Sequence, residues 1–155
     1  MANRSPSGGT ATNRNTGKHP VRTAAQVVGA VFVLVGVLGF IPGITTNYDT
    51  MQFAGHESDA KLLGLFQVSI LHNLVHLAFG VAGLALARTI SGARAYLIGG
   101  GAIYLVLWLY GLVIGHDSAA NFIPLNGADN WLHFFLGLGM IGLGIALTRR
   151  LADRR

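Results

Sequence analysis

The chain has 155 residues, of which 52% are hydrophobic and 11% are charged, and its mean hydropathy is +0.52. Soluble domains carry about 25% charged residues, so this composition excludes an ordinary soluble domain and indicates a small membrane protein with several spans. The absence of cysteine excludes disulfides, thiolate metal sites and covalent c-type haem. The net charge of +5 is not gathered into a binding face, so we expect no nucleic-acid partner.

In chain order, the sequence divides into a polar tail, an apolar domain and a short basic tail. Residues 1–20 contain almost no large apolar side chain and are predicted to be a disordered, basic cytoplasmic tail. Residues 21–150 are predicted to be an all-α membrane domain, a bundle of four transmembrane helices. Residues 151–155 are predicted to be a second basic cytoplasmic tail. The predicted spans are residues 23–41, 62–87, 95–115 and 130–147.

The distribution of charge predicts an orientation for these spans. Every Lys and Arg except Lys61 lies near an end of the chain or in the turn at residues 88–94, and four spans place all three regions on one side. By the positive-inside rule, that side is the cytoplasm. Every Asp and Glu except Asp153 falls on the opposite side. We therefore expect a multi-pass plasma-membrane protein, in contact with the lipid bilayer, whose two termini are cytoplasmic.

Two pairs of similar segments indicate an internal repeat. Residues 55–60 (GHESDA) are similar to residues 115–120 (GHDSAA), with an offset of 60 residues. The pattern Asn-x-x-His-x-x-x-Gly at residues 73–80 recurs at residues 130–137, with an offset of 57. Each unit would be a helix pair running in the same direction, related to the other by an axis along the membrane normal. We predict two tandem helix-pair repeats, with the second and fourth spans as neighbours.

The polar chemistry of the apolar domain is concentrated in these two spans. His72 and His76 are four residues apart and share a helix face, and Asp129 lies one turn before His133. Imidazole groups are costly in lipid, so the histidines are predicted to face the bundle interior, while Asp129 lies just outside the fourth predicted span. His72, His76, His133 and Asp129 are therefore candidate ligands of a divalent metal. Haem held between His133 and His72 or His76 is a second version of this hypothesis.

A structural role is the interpretation that we favour. Asn73, His76, Asn130 and His133 would form a polar cluster that hydrogen-bonds across helices and sets their packing. The His-x-x-x-His pattern is common by chance, and the sequence contains neither a cysteine nucleophile nor a nucleophile elbow. We therefore expect a non-enzymatic structural or accessory component, with no cofactor assigned. A small proton or ion transporter is the third hypothesis, because histidine titrates near physiological pH.

Glycines recur at helical spacing along all four predicted spans. Small residues allow helix backbones to approach closely. We expect most of them to serve packing within the bundle, while a homo-oligomer or a membrane-protein partner stays open. The pairs are Gly29 and Gly36, Gly80 and Gly83, Gly111 and Gly115, and Gly137 and Gly144.

Three segments together resemble a known family of small four-span membrane proteins of actinobacterial type, catalogued as a domain of unknown function. The segments are Leu62-Leu63-Gly64-Leu65-Phe66, Leu71-His72-Asn73-Leu74-Val75-His76-Leu77 with the glycines after it, and Asp129-Asn130-Trp131-Leu132-His133. The resemblance covers about residues 22–150. It implies a multi-pass plasma-membrane protein, and the family carries no agreed activity that could be transferred to this chain.

Overall fold

A computed structural model describes residues 19–152, with side chains described up to residue 149. The predicted tails lie outside the described residues, apart from residues 19 and 20 and the end of the last helix. Within the described part, the prediction of an all-α fold with four helices is confirmed, although three strands of two residues accompany them. The helices are α1 (Pro20–Leu38), α2 (Ile70–Leu86), α3 (Ile90–Val113) and α4 (Gly127–Ala152). The strands are β1 (Thr45–Thr46), β2 (Lys61–Leu62) and β3 (Phe66–Gln67).

Three of the four helices are long and apolar enough to cross a membrane. They are α1, α3 and the part of α4 from Gly127 to Arg149, with mean hydropathies of 2.0, 1.8 and 1.7. α2 is equally apolar but has 17 residues, which is the lower limit for a membrane span. All four helices expose large apolar side chains on their outer faces, as Val106 (63% exposed) and Phe135 (65%) illustrate. Such faces suit a lipid environment.

The prediction of a span beginning at residue 62 is wrong over residues 62–69. These residues form β2, a turn and β3, and α2 begins only at Ile70. Leu63 and Gly64 have φ values of +55° and +70°, which a right-handed helix does not contain. The apolar run has another role, because Leu62 joins Ala60 and Val68 in a small buried cluster against which Val35 and Leu38 of α1 pack.

The other span limits are shifted by local capping. α1 begins at Pro20, since proline suits the first position of a helix, and it ends at Leu38 rather than at residue 41. α3 begins five residues earlier than predicted because the Thr89 side chain accepts a hydrogen bond from the backbone N–H of Gly92 at 3.0 Å. α4 extends at both ends beyond the predicted residues 130–147.

The two long connections, residues 39–69 and 114–126, lie together at one end of the bundle, which we call the outer end. The backbone N–H of Gly55 donates to the carbonyl of Phe122 at 2.7 Å and joins them. The first connection contains the small antiparallel sheet in the order β1-β2-β3. Only a polar loop was expected for most of this segment, because strands of two residues leave no periodic pattern in a sequence.

The helices pack as two pairs, α1 on α2 and α3 on α4. A Cβ on Gly29 would lie 2.9 Å from the carbonyl oxygen of Gly80, and a Cβ on Gly101 would lie 2.7 Å from that of Gly137. Each pair therefore crosses at facing glycines, which confirms the predicted packing role of Gly29, Gly80 and Gly137 and adds Gly101, for which none was predicted. Gly115 is different, since a Cβ there would meet only Ser118, at 3.8 Å.

Aromatic rings join the two pairs at the centre of the bundle. Phe32 of α1 stacks on Tyr104 of α3 with ring centroids 5.3 Å apart, and Phe79 of α2 packs edge-on to both. The buried core continues through Leu97 and Met140 towards the α2–α3 turn. The prediction that α2 and α4 are neighbours is wrong for the helix backbones, since this pair is not among the closely contacting helices. Side chains of the two helices line the same cavities at the outer end.

Candidate functional site

The helix starts at the outer end position the candidate site. The Ser69 side chain accepts from the backbone N–H of His72 at 3.1 Å, and the Asn126 side chain accepts from the N–H of Asp129 at 3.0 Å. Both are N-cap bonds, so His72 and Asp129 occupy the same third position of α2 and α4. His76 and His133 follow one turn later on the same faces.

The four side chains face the interior of the bundle. His72, His133 and Asp129 are 5%, 4% and 2% exposed, and His76 is half-buried. Imidazole and carboxyl groups at this depth lose their hydration and need polar partners or a ligand. The hydrogen bonds of each group therefore decide what it can still bind.

His72 and His76 each have one ring nitrogen held by a backbone carbonyl. Nδ1 of His72 lies 3.0 Å from the carbonyl oxygen of Gln67, and Nδ1 of His76 lies 3.1 Å from that of His72. A carbonyl oxygen can only accept, so Nδ1 is the protonated nitrogen in both rings. The Nε2 atom of each neutral ring is left with a free lone pair. The two rings are neighbours, with centroids 4.6 Å apart.

His133 lies at the end of an aromatic row that crosses the bundle. Ring centroids are 5.6 Å apart between His76 and Phe32, 5.3 Å between Phe32 and Tyr104, and 5.0 Å between Tyr104 and His133. The row takes one ring from each helix in the order α2, α1, α3 and α4. Nδ1 of His133 is buried and finds no hydrogen-bond partner among the described residues.

Two cavities, of about 120 and 60 Å³, meet at the histidines. Both are lined by His72, His76 and His133, so the structure brings these three together, although no hydrogen bond links them side chain to side chain in the described part of the chain. Asp129 lines the larger cavity and Tyr104 the smaller one. The remaining walls are mainly apolar. Space for a small ligand therefore exists beside the imidazoles.

Asp129 has a structural task at this site. Its Oδ2 accepts from the backbone N–H groups of Asn126 and Gln67, both at 3.1 Å. The N–H of Asp129 donates to the Asn126 side chain in return, so the two residues form a capping box. The side-chain amide of Asn126 also donates to the carbonyl of Leu65 at 2.8 Å. Asn126 and Asp129 thereby tie α4 to the β2–β3 turn. The Asn-x-x-Asp spacing before an apolar run signals this cap in the sequence, whereas nothing there signals Gln67.

The two asparagines of the predicted polar cluster lie between helices. A Cβ on Gly39 would collide with the Asn73 side chain, and one on Gly111 would collide with that of Asn130. Asn73 donates only a long bond to the sulfur of Met51, and Oδ1 of Asn130 has no partner among residues 19–149. Within those residues, no hydrogen bond joins either asparagine to a histidine. Their packing is thus against glycine backbones.

No ready-made metal centre is found in the part of the chain that the structure describes. Specifically, no group of three or more His, Asp or Glu side chains stands there in an arrangement that could hold a metal ion. His72, His76 and His133 line the same cavities, but their side chains are not arranged around one common metal position. Their chemistry is that of neutral nitrogen bases beside a buried carboxyl group.

Comparison with known proteins gives the family of the chain. No curated protein and no solved structure matches it. One family model matches residues 22–146, which include the site residues of α2 and α4. This confirms the resemblance, noted from the sequence, to a family without assigned activity. The chain belongs to the family described as Domain of unknown function (DUF4383).

Proposed function

We propose that the chain is a non-enzymatic plasma-membrane protein with four spans, a small structural or accessory component built from two repeated helix pairs. One observation carries this proposal: the same packing arrangement occurs in both pairs. Each pair has a glycine-to-glycine crossing, and each has an asparagine covering a glycine near the outer end. Such an arrangement builds a rigid scaffold, and packing of this kind is how small membrane helices hold together.

Corresponding positions support the repeat. Gly29, Phe32 and Gly39 of the first pair correspond to residues 72 positions later in the chain, and Asn73 and Gly80 correspond to residues 57 positions later. The corresponding residues make the same contacts, including the stacking of the two central rings on each other. Constant offsets within each helix are what a duplicated helix pair would produce. The different lengths of the two outer connections account for the change in offset.

The proposal of four spans depends on α2, the shortest helix. Its exposed side chains are apolar, and it packs along α1 through Gly80. A span of 17 residues rises about 25 Å, close to the thickness of a hydrocarbon core of about 30 Å. With four spans, the basic turn between α2 and α3 lies on the same side as both termini. The positive-inside rule then assigns that side to the cytoplasm.

The shape of the interior favours a scaffold over a transporter and over a haem protein. A transporter needs a polar route, yet beyond the histidines the bundle is filled by packed rings and by Leu97 and Met140. Haem needs a large pocket, and cavities of about 120 and 60 Å³ are smaller than the roughly 300–1,000 Å³ typical of small-molecule sites.

Cysteine labelling tests the number of spans and their orientation. Because the chain has no cysteine, single substitutions can be labelled without background from the protein. Phe53→Cys and Ala119→Cys, both at exposed positions of the outer end, should react with an impermeant maleimide in intact cells. Ser91→Cys, exposed at the start of α3, should react only after lysis. Labelling of Ser91→Cys from outside would refute the orientation, and labelling of residues 53 and 119 from opposite sides would refute four spans.

A further inference from the structure

The two histidines of α2 present a pair of nitrogen ligands. His72 and His76 lie on one helix face with ring centroids 4.6 Å apart, and each donates its Nδ1 hydrogen to a backbone carbonyl. Histidines that bind metals are generally held in this way, with one nitrogen hydrogen-bonded and the other free as the ligand. The carbonyls of Gln67 and His72 therefore fix which nitrogen of each ring can act. In a neutral ring held this way, Nε2 is the nitrogen with the free lone pair.

A third imidazole in the same cavities lacks a partner. His133 is 4% exposed, and its Nδ1 has no hydrogen-bond partner among the described residues. A buried polar atom without a partner has lost its hydration and gained nothing in exchange, so a ligand that engages this ring removes an existing penalty. His72 and His76 line both cavities that His133 lines. Imidazoles from two helices thus surround one space.

The size of the larger cavity limits the class of ligand. At about 120 Å³, it can hold an ion with a few water molecules, since one water occupies about 30 Å³ in the liquid. A drug-sized organic molecule would not fit. Asp129 lines the same cavity, and its ionised form would favour a cation there. Neutral imidazoles, restricted volume and a neighbouring carboxyl group together indicate a small metal cation.

We propose that His72, His76 and His133 bind one divalent transition-metal ion, with Zn²⁺ the ion best suited to three imidazoles. Nε2 of His72, Nε2 of His76 and a ring nitrogen of His133 are the protein ligands, and a water completes four-coordination. Asp129 stays outside the ligand set, because its Oδ2 is engaged by two backbone N–H groups. The site is not preformed among the described residues, so the three rings must converge when the ion binds, and Nδ1 of His133 has no hydrogen bond to break in doing so.

Co²⁺ and Zn²⁺ are the probes for a test on the full chain, purified in detergent and stripped with a chelator. The wild-type protein should take up one Co²⁺ with the visible absorption of a tetrahedral site, and Zn²⁺ should displace it. His133→Gln and His76→Gln should each weaken Co²⁺ affinity at least tenfold. The matched control is His116→Gln, which removes an exposed imidazole from the connection between α3 and α4 and should leave the affinity unchanged.

Thermal unfolding separates loss of the ligand from loss of the fold. Zn²⁺ should raise the Tm of the wild-type protein and of His116→Gln, because a ligand that binds only the folded state stabilises it. His133→Gln, measured without metal, should unfold near the wild-type Tm and should gain nothing from Zn²⁺. Wild-type protein that binds no Co²⁺, or binding that survives both His76→Gln and His133→Gln, would overturn the site. The proposed scaffold role and topology do not require the metal and would survive that result.

Discussion

The two helix pairs share their interior packing and differ at the outer end. α1 and α2 cross at glycines in the same way as α3 and α4, and an asparagine covers a glycine in each. The outer connections differ, because residues 39–69 contain a three-stranded sheet and residues 114–126 contain no strand. Close backbone contacts tolerate only glycine, whereas exposed connections can vary. The two pairs therefore share their glycine packing, and they differ in the structure of the connections at the outer end.

One pair of corresponding residues makes different hydrogen bonds in the two helix pairs. His72 and Asp129 both occupy the third position of their helices, three residues after an N-cap. The histidine points its Nδ1 hydrogen at its own connection, while the carboxyl group reaches across to Gln67 in the other pair. A symmetric molecule would lack this cross-link. The departure from symmetry therefore joins the two pairs where the candidate ligands gather.

The largest effect is expected when a glycine crossing is filled. A Cβ at Gly101 would lie 2.7 Å from the carbonyl oxygen of Gly137, and backbone atoms cannot move aside as side chains do. Gly101→Leu should therefore cost more than the roughly 1–3 kcal/mol usual for overpacking and should prevent folding of a monodisperse protein. Thermal unfolding and size-exclusion chromatography in detergent would measure this.

The control for that substitution lies two residues earlier. A Cβ at Gly99 would have no neighbour within 4 Å, so Gly99→Leu should leave folding intact. Gly29→Leu should be as damaging as Gly101→Leu if the two pairs are packed alike. Equal behaviour of the Gly99 and Gly101 variants would contradict the crossing, and a mild Gly29 variant would break the comparison between pairs.

A smaller effect is expected where asparagine covers glycine. Gly111→Ala brings a methyl group into the Asn130 side chain and should cost about 1–3 kcal/mol of unfolding free energy. Adding Asn130→Ala makes room for that methyl group, so the double variant should be more stable than additivity predicts, by about 0.5–3 kcal/mol. Gly39→Ala should be milder, because Gly39 follows the last residue of α1 and can shift more freely. Strict additivity at Gly111 and Asn130 would show that they are not in contact.

Removing the cross-link tests the asymmetry. Asp129→Ala deletes the acceptor for the N–H groups of Asn126 and Gln67 and should cost about 2 kcal/mol, as expected for a lost cap and an unpaired buried donor. Asp117→Ala, which removes an exposed acid from the connection before α4, should stay within about 0.5 kcal/mol of the wild type. Equal stabilities of the two variants, in thermal unfolding, would remove the carboxyl group from its structural role.

The smallest effect concerns the cap of α2. Ser69→Ala removes the side-chain oxygen that accepts from the N–H of His72 and should cost about 1 kcal/mol. Ser91→Ala, at an exposed site in α3, is the matched control and should cost less. If Ser69→Ala is silent in thermal unfolding while Asp129→Ala is not, then only the second pair depends on its helix cap.

Several features followed from the sequence by itself. Long apolar runs predicted four helices, and glycines at helical spacing predicted close crossings, because both depend on residues near each other in the chain. The burial of His72 and His133 followed in the same way, since imidazoles in apolar helices avoid lipid, whereas the burial of Asp129 was not predicted. The spacing of Asn126 and Asp129 is also typical of a capping box, a local signal that the predictions above did not use.

Other features were decided only by tertiary structure. Residues 62–66 are as apolar as a membrane span, yet they form strands that cover α1, because partners distant in the chain supply their hydrogen bonds and contacts. The same holds for the bond from Gln67 to Asp129, which joins residues 62 positions apart. The choice of protonated nitrogen in His72 also depends on folded geometry, since the Gln67 carbonyl reaches that ring only through the turn before α2. Local patterns specify helices and their faces, whereas contacts between distant segments specify the partners of each polar atom.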